Sequence, residues 1–277
     1  MKIRDKILWV VIAFFLVFPA ASEAAVAEAA VGDRLDEGKI KIVVGVSAVP
    51  HAGIMKVAGE ILGREGYNVE IKVFNDYVMP NVALADGSID ANFFAHVPYL
   101  IDSIAQMRYD LTWLVRVHVE PMAIYSRRVR SLGGLPNGAT VVIPDSVSNR
   151  TRALRLLARV GLIKVKDKPN LNISDITENP KDLKIIRTSP YLIPGSLSGA
   201  DAVVMNGNIA IQSGLHPMLD SIAVEVKDDR YANVLVVRVT DMNKPVIRAL
   251  AAALNSPEVR GYIENNLAPL GIRASFF

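Results

Sequence analysis

Cysteine is absent from this sequence of 277 residues, and its absence removes several kinds of chemistry. Without a thiol there can be no disulfide bond, no thiolate metal site and no cysteine nucleophile. Membrane attachment through a lipid-modified N-terminal cysteine is excluded for the same reason. The sequence also lacks the Gly-x-Ser-x-Gly, His-Glu-x-x-His and Gly-x-x-x-x-Gly-Lys motifs that mark serine hydrolases, zinc peptidases and phosphate-binding loops.

An excess of charge of one sign is also missing. The formal net charge is +3, which is too small to indicate binding to nucleic acid or to an anionic membrane surface. The histidines at positions 51, 96, 118 and 216 lie far apart and do not have the spacing of metal ligands. We therefore expect no metal, no cofactor, no nucleic-acid partner and no catalytic residue.

Long apolar runs are confined to the N-terminus. Three basic residues precede an uncharged apolar run of twelve residues, 7–18, and a membrane-spanning helix needs about 20. Small residues around Ala24 and Ala27 resemble cleavage sites. We predict that residues 1–24 are a signal peptide cleaved between Ala24 and Ala27, which gives a periplasmic protein without a lipid anchor. Retention of the signal as an N-terminal anchor stays open.

The remaining residues alternate between strand and helix patterns. Residues 39–46 predict a buried strand, 52–63 a helix, 68–74 a second strand and 80–87 a second helix. Such an order is typical of a parallel α/β sheet. A second series starts with a strand at 139–143 and a helix capped by Ser148 or Asn149. Strands at 184–186, 202–205 and 233–239, a helix at 244–254 and a terminal helix from Ser256 follow.

Two such series predict two lobes. The first lobe is expected to contain residues 39–122 and, after the chain returns, 226–277, while the second contains 123–225. Two crossover segments, near 121–125 and 222–226, would join them. A cleft between the lobes would lie at the carboxyl ends of strands, where open α/β sheets bind ligands.

Aromatic side chains cluster near the predicted cleft. Phe94, His96 and Tyr99 stand within six positions, and Tyr77 follows the end of a predicted strand. Stiff aromatic rings with polar tips suit a small ligand that is partly apolar and partly charged. The alternative is that these rings pack beneath a loop.

Polar side chains follow the strands of the second lobe. Asn149 and Arg152 come after the strand that ends at Ile143, and Asn206 comes after the strand that ends at Met205. A guanidinium near a helix N-terminus can bind a carboxylate or phosphate, and an amide can bind an ammonium or a carboxylate. The alternatives are a solvated helix face for Arg152, turn residues for Asn206 and Asn208, and a strand edge for Asn233.

With these residues laid out, the chain resembles the NlpA/MetQ family of substrate-binding proteins for methionine ABC importers. The resemblance extends from about residue 39 to the end. The motifs that carry it, in chain order, lie at 45–52 (GVSAVPHA), 76–81 (DYVMPN), 90–100 (DANFFAHVPYL), 118–126 (HVEPMAIYS), 143–149, 152–154, 176–180 (ITENP), 206–208 (NGN) and 231–233 (YAN).

The resemblance implies an α/β fold of the two-lobed periplasmic binding protein type (type II), with the ligand cleft between the lobes. It implies a monomer that delivers a free amino acid, methionine above all, to a membrane permease with its ATPase. By motif, Asn149 and Arg152 would hold the α-carboxylate, and Asn206 and Asn233 would meet the polar head of the amino acid. The side-chain pocket would be walled by Tyr77, Phe94, His96 and Tyr99.

One stretch departs from the family. Residues 187–192 (RTSPYL) replace an acidic Glu-x-Glu-Ala-Ala-Gln segment, and Gly195 and 198–199 replace arginine and acidic residues. Another amino acid, a dipeptide or an amino-acid-like anion therefore stays open as the ligand. A remote alternative is a cleft enzyme on the same fold, which would use His96 and Glu120 as its acid/base pair.

Overall fold

The structure, a computed structural model, describes residues 35–36 and 38–276. The predicted signal peptide lies outside these residues. Among the helices of the described part, none is both long enough and apolar enough to cross a bilayer.

Two large sheets and one sheet of two strands organise the described part of the chain, and most strands are short. The strands are β1 Leu35–Asp36, β2 Lys39–Ser47, β3 Tyr67–Phe74, β4 Ala91–His96, β5 Leu111–Val119, β6 Met122–Tyr125, β7 Thr140–Pro144, β8 Lys164–Val165, β9 Ile176–Glu178, β10 Lys184–Thr188, β11 Ala202–Asn206, β12 Ser221–Val224, β13 Ala232–Arg238 and β14 Arg273–Ala274. The α-helices are α1 His51–Arg64, α2 Met79–Ala85, α3 Val97–Met107, α4 Val147–Arg159, α5 Gly207–Gln212, α6 Pro245–Leu254 and α7 Pro257–Tyr262.

The first sheet has seven strands in the order β1-β2-β4-β13-β5-β14, with β3 paired to β2. Strands β2, β3 and β4 run parallel, but β13 is antiparallel to both β4 and β5. The parallel pairing of β2 and β3 agrees with the element order of residues 39–87. The antiparallel strand is added when the chain returns from the second lobe and β13 pairs between β4 and β5, which precede it in the sequence.

The second sheet has five strands in the order β10-β7-β11-β6-β12. The chain passes from β5 to β6 through Glu120 and Pro121, and it returns from β12 to β13 through residues 225–231. The cleft is bounded by the carboxyl ends of β4, β7 and β11, so residues that directly follow these strands face one another across it.

The inner strands of each sheet are apolar on both faces because helices cover both. In β7, Val141 and Ile143 belong to one hydrophobic cluster, while Val142 belongs to another on the opposite face. In β2, Val44 and Val46 pack into a cluster with α1, α6 and α7, and Val43 packs on the cleft side. This period of two is the pleat of a strand that is buried on both faces.

Candidate ligand-binding cleft

A cavity lies between the two sheets. The side chains that line it are Tyr77, Phe94, Ala95, His96, Tyr99, Glu120, Asn149, Arg152, Asn206, Asn208 and Asn233. The structure thus brings together all eight residues that the sequence assigned to ligand binding, and their contacts with a ligand stay a prediction. Ala95, Glu120 and Asn208 are additions to that set.

Aromatic rings from the first lobe form one wall. The rings of Tyr77 and Tyr99 meet edge to face with centroids 5.8 Å apart, and those of Phe94 and Tyr99 do so at 6.0 Å. The Tyr99 hydroxyl donates a hydrogen bond of 2.7 Å to the Tyr77 carbonyl. The wall is rigid because Phe94 is fixed in β4 and Tyr99 in the first turn of α3.

His96 joins the aromatic wall to the second lobe. It is the N-cap of α3, where its Nδ1 accepts a hydrogen bond from the Tyr99 backbone N–H at 3.2 Å. Its Nε2 must therefore carry the proton, and it donates to Asn149 Oδ1 at 3.0 Å. Burial lowers the pKa of His96 to about 3, and the positive charge of Arg152 acts in the same direction. The ring is neutral at physiological pH.

Amide side chains from the second lobe form the opposite wall. Asn149 Oδ1 accepts from Asn206 Nδ2 at 2.7 Å as well as from His96, and Asn149 Nδ2 donates to Ser146 Oγ at 3.1 Å. Asn206 Oδ1 is buried and has no hydrogen-bond partner among the described residues. An unpaired acceptor is costly in a buried site. The amide wall therefore offers an acceptor to a donor on a ligand.

Asn208 ties the two lobes together. Its Oδ1 accepts a hydrogen bond of 2.7 Å from the Tyr77 hydroxyl, which belongs to the first lobe. Its backbone N–H donates to Glu120 Oε2 at 2.7 Å. Gly207 makes this approach possible, because a Cβ there would meet the Pro121 carbonyl oxygen at 2.9 Å.

Glu120 stands on the crossover with two histidines behind it. His118 Nε2 lies 3.0 Å and His51 Nε2 3.4 Å from Glu120 Oε1, and His51 Nε2 also lies 3.2 Å from Asn233 Oδ1. Burial lowers the pKa of His51 to about 4 and that of His118 to about 3, so both rings are neutral. Burial raises the pKa of Glu120, whereas His51, the Asn208 N–H and Arg152 act to lower it.

The same three side chains are the group in the described residues that could hold a metal ion. One ligand atom each from His51, His118 and Glu120 lies within 4.8 Å of the others, and all three residues are buried. Two neutral imidazoles and a carboxylate are zinc ligands by type. The atoms that would bind the ion, however, already make the hydrogen bonds that orient Glu120 toward the cavity.

Arg152 is placed differently from the expectation. Helix α4 begins at Val147 with Ser146 before it, so neither Ser148 nor Asn149 is its cap and Arg152 lies in the second turn. Its Nε and Nη2 bind the Glu225 carboxylate, Nη2 at 2.6 Å, and Nη2 also donates to the Glu120 carbonyl at 2.7 Å. The partial positive charge of the helix N-terminus therefore does not reinforce the positive charge of Arg152 at the cavity.

Sequence reasoning left Glu120 and Asn208 outside the predicted site. The sequence contains a signal for both residues. Glu120 directly follows a strand and precedes a proline at a predicted crossover, and Asn208 comes two residues after the end of another strand. The partner of Arg152, Glu225, carried none, since 73 residues separate the two. His96 and Glu120, the acid/base pair of the enzyme alternative, line one cavity but hydrogen bond to different partners.

Comparisons with known proteins give one consistent result. The sequence profile of the NlpA lipoprotein family matches residues 42–273. The methionine-binding lipoprotein MetQ of Bacillus subtilis is 39% identical over 83% of this chain and 86% of its own length. The D-methionine-binding lipoprotein MetQ of Salmonella typhi is 40% identical over 80% of this chain and 82% of its own.

Solved structures agree with the sequence relatives. A nutrient binding protein from Burkholderia cenocepacia bound to methionine superposes with a TM-score of 0.82 at 38% identity, covering 85% of this chain and all of that one (100%). A putative methionine-binding lipoprotein from Bacillus subtilis gives 0.82 at 36% identity, covering 89% of this chain and 100% of the other. The predicted α/β fold of a two-lobed periplasmic binding protein is confirmed by this likeness.

Proposed function

The chain belongs to the NlpA lipoprotein family, and from that premise we propose that it is a substrate-binding protein that captures methionine and delivers it to an ABC importer. The observation that carries the proposal is the pairing of opposite groups on the cavity wall. A buried carboxylate, Glu120, and an unpaired acceptor, Asn206 Oδ1, stand beside the guanidinium of Arg152. This arrangement matches a zwitterion, which brings an ammonium and a carboxylate together.

The polar head of the amino acid is assigned by charge. The ammonium would donate to Glu120 and Asn206 Oδ1, since both accept and neither can repel it. The carboxylate would face Arg152 and the amides of Asn149 and Asn233. Because Arg152 is already paired with Glu225, a ligand with net negative charge gains less there than a neutral zwitterion does.

The side chain of the ligand is assigned by the aromatic wall. Tyr77, Phe94, His96 and Tyr99 offer ring edges and faces and no full charge. A thioether is polarizable and gains about 0.3 to 1.5 kcal/mol from each aromatic contact. An unbranched thioether therefore suits this wall better than a charged or branched side chain.

A thermal shift experiment on protein stripped of ligand tests the assignment. Methionine at 100 times its dissociation constant should stabilise the fold by about 2.7 kcal/mol. Glutamate, lysine and sulfate should give no shift, and L- and D-methionine should be compared directly. A shift with another amino acid or a dipeptide, and none with methionine, would overturn the ligand while leaving the transport role in place.

The location and the partner complete the proposal. We propose that residues 1–24 direct export, and that the mature chain is a free periplasmic monomer, because the sequence contains no cysteine for a lipid. Mature protein that begins between Ala25 and Glu28 and appears in the osmotic-shock fraction is the expected result, and an intact Met1 in the membrane pellet would contradict it.

Residues 39–122 and 226–277 would form one lobe and residues 123–225 the other. The partner of the protein would be a permease with its ATPase.

No feature of the cavity favours the enzyme alternative. The relatives are named as binding proteins, and both ring nitrogens of His96 already make hydrogen bonds. We therefore propose that the chain binds its ligand without transforming it.

A further inference from the structure

Tyr191 belongs to the stretch, residues 187–192, that departs from the family pattern. It lies in the short helix Pro190–Ser198, which follows β10 in the second lobe and packs against the cluster of Tyr125, Val203 and Met205. Its ring meets the ring of Tyr77 edge to face, with centroids 5.1 Å apart and an angle of 74°. The contact therefore crosses the cleft.

Tyr77 makes apolar contact with both lobes. It packs against a hydrophobic cluster of the first lobe and also against the second-lobe cluster on which Tyr191 packs. Its ring is closer to that of Tyr191 than to those of Phe94, at 6.1 Å, or Tyr99, at 5.8 Å. Tyr77 lines the cavity and Tyr191 stands behind it, outside the lining.

The hydroxyl of Tyr191 adds no hydrogen bond to the ring contact. It is buried and has no hydrogen-bond partner among the described residues. Burial raises the pKa of Tyr191 to about 12. The contact between the rings of Tyr191 and Tyr77 is therefore the interaction that Tyr191 makes across the cleft.

We propose that Tyr191 is a positioning residue that latches the two lobes of this chain in the closed arrangement, through the contact of its ring with the ring of Tyr77. The proposal rests on the proposed function, because closure matters only if a ligand is held between the lobes. It assigns a role to a segment whose difference from the family was otherwise unexplained. The segment changes how firmly the cleft closes and leaves the cavity lining unchanged.

A latch has a different signature from a ligand contact. The apparent dissociation constant equals the intrinsic constant divided by the fraction of molecules that can close. Removing the latch lowers that fraction, so affinity falls by the same factor for every ligand. Removing a residue that touches the ligand changes the affinities of different ligands by different factors.

The experiment compares Tyr191→Ala, Tyr191→Phe and Tyr191→Leu with the wild type. Calorimetry with methionine and norleucine gives dissociation constants, and stopped-flow fluorescence gives dissociation rates. We expect Tyr191→Ala to raise both constants by about 3- to 10-fold, as for loss of an aromatic pair, with faster dissociation. Tyr191→Phe keeps the ring and should stay within about 2-fold of the wild type. Leu192→Ala is the matched control, since Leu192 is the neighbouring residue and 65% exposed.

Each outcome decides the proposal. Equal weakening of both ligands by Tyr191→Ala, with Leu192→Ala unchanged, supports the latch. Dissociation constants that stay within 2-fold of the wild type overturn it, and so does a factor that differs between the two ligands. If Tyr191→Ala does not fold, Tyr191→Leu keeps the apolar volume and gives the same comparison. Small-angle scattering of ligand-free protein adds a test that needs no ligand, because the variant should be more open. A wild type that ignores methionine would instead overturn the proposed function.

Discussion

The two walls of the cleft differ in what they offer a ligand. The wall from the first lobe consists of rings that contact one another, so their positions are fixed by shape. The wall from the second lobe consists of amides and Arg152, whose positions are fixed by hydrogen bonds and an ion pair. The first wall can therefore discriminate between ligand side chains by size and polarizability, and the second can discriminate between head groups by charge. In the closed cleft, one ligand would have to satisfy both walls.

The largest effect expected is on the amide wall. Arg152→Ala should weaken methionine binding by about 2 to 5 kcal/mol, as for loss of one partner of a buried charge pair. It should also lower the free energy of unfolding, because Glu225, only 11% exposed, would lose its ion-pair partner. Calorimetry and urea unfolding measure the two effects. Arg159→Ala, an exposed position on the same helix, is the control. Unchanged affinity in a folded variant would return Arg152 to a structural role.

The second effect separates charge from shape. Glu120→Gln should weaken methionine binding by about 1.5 to 3 kcal/mol, the usual value of a hydrogen bond to a charged group. Binding of 4-(methylthio)butanoate, which lacks the ammonium, should change much less. Calorimetry with both ligands gives the comparison, and Glu178→Gln, at the exposed end of strand β9, is the control. Equal losses for the two ligands would show that Glu120 does not meet the ammonium.

The third effect is a dependence of the free energy of unfolding on pH. It comes from buried histidines in the first wall and beside the crossover. His51, His96 and His118 have pKa values near 4, 3 and 3 in the fold, below the usual 6.5. Below pH 6.5 the three histidines therefore bind protons in the unfolded chain but not in the folded one. Their contribution to the free energy of unfolding is complete above pH 6.5 and is lost as the pH falls toward the folded pKa values. Between pH 6.5 and 5 each histidine should lower the free energy of unfolding by about 2 kcal/mol. The raised pKa of Glu120 opposes this trend.

Urea unfolding at the two pH values measures this dependence one histidine at a time. His96→Gln should remove its share of the loss, since glutamine does not titrate and can still donate to Asn149. If this variant kept the wild-type dependence, His96 would not be a buried neutral ring.

The smallest effect tests the aromatic wall alone. Norleucine replaces the methionine sulfur by a methylene group of similar size and leaves the head group unchanged. Methionine should bind more tightly by about 0.3 to 1.5 kcal/mol, the range for one sulfur–aromatic contact. Competition calorimetry measures this difference. Tighter binding of norleucine would mean that the wall acts only as an apolar surface.

Local patterns predicted the elements well. The strand expected at 39–46 is Lys39–Ser47, and the helix expected at 244–254 is Pro245–Leu254. Both depend on apolar periodicity and on glycine or proline at the ends, which are properties of neighbouring residues. The antiparallel entry of β13 between β4 and β5 was missed, because it depends on where the chain returns and not on any local signal.

The candidate site shows the same division. Asn206, at the end of β11, and Asn149, in the first turn of the helix that follows β7, could be predicted because the carboxyl ends of parallel strands lie at one edge of a sheet. The state of Arg152 could not, since Glu225 reaches it from a distant segment. Tyr191 was noticed only as a departure from a family pattern. Its contact with Tyr77 required the relative position of the two lobes.

The crossover between β5 and β6 is two residues long, and this brevity constrains how the molecule moves. Pro121 has a ring that fixes its φ angle, so few backbone torsions remain to absorb a change in the angle between the lobes. Those of Glu120 are among them. Rotation of the second lobe would therefore turn the backbone that carries the Glu120 carboxylate. Opening of the cleft would then move the carboxylate that we propose to bind the ammonium away from the ligand. Release and hinge bending would then be one mechanical event.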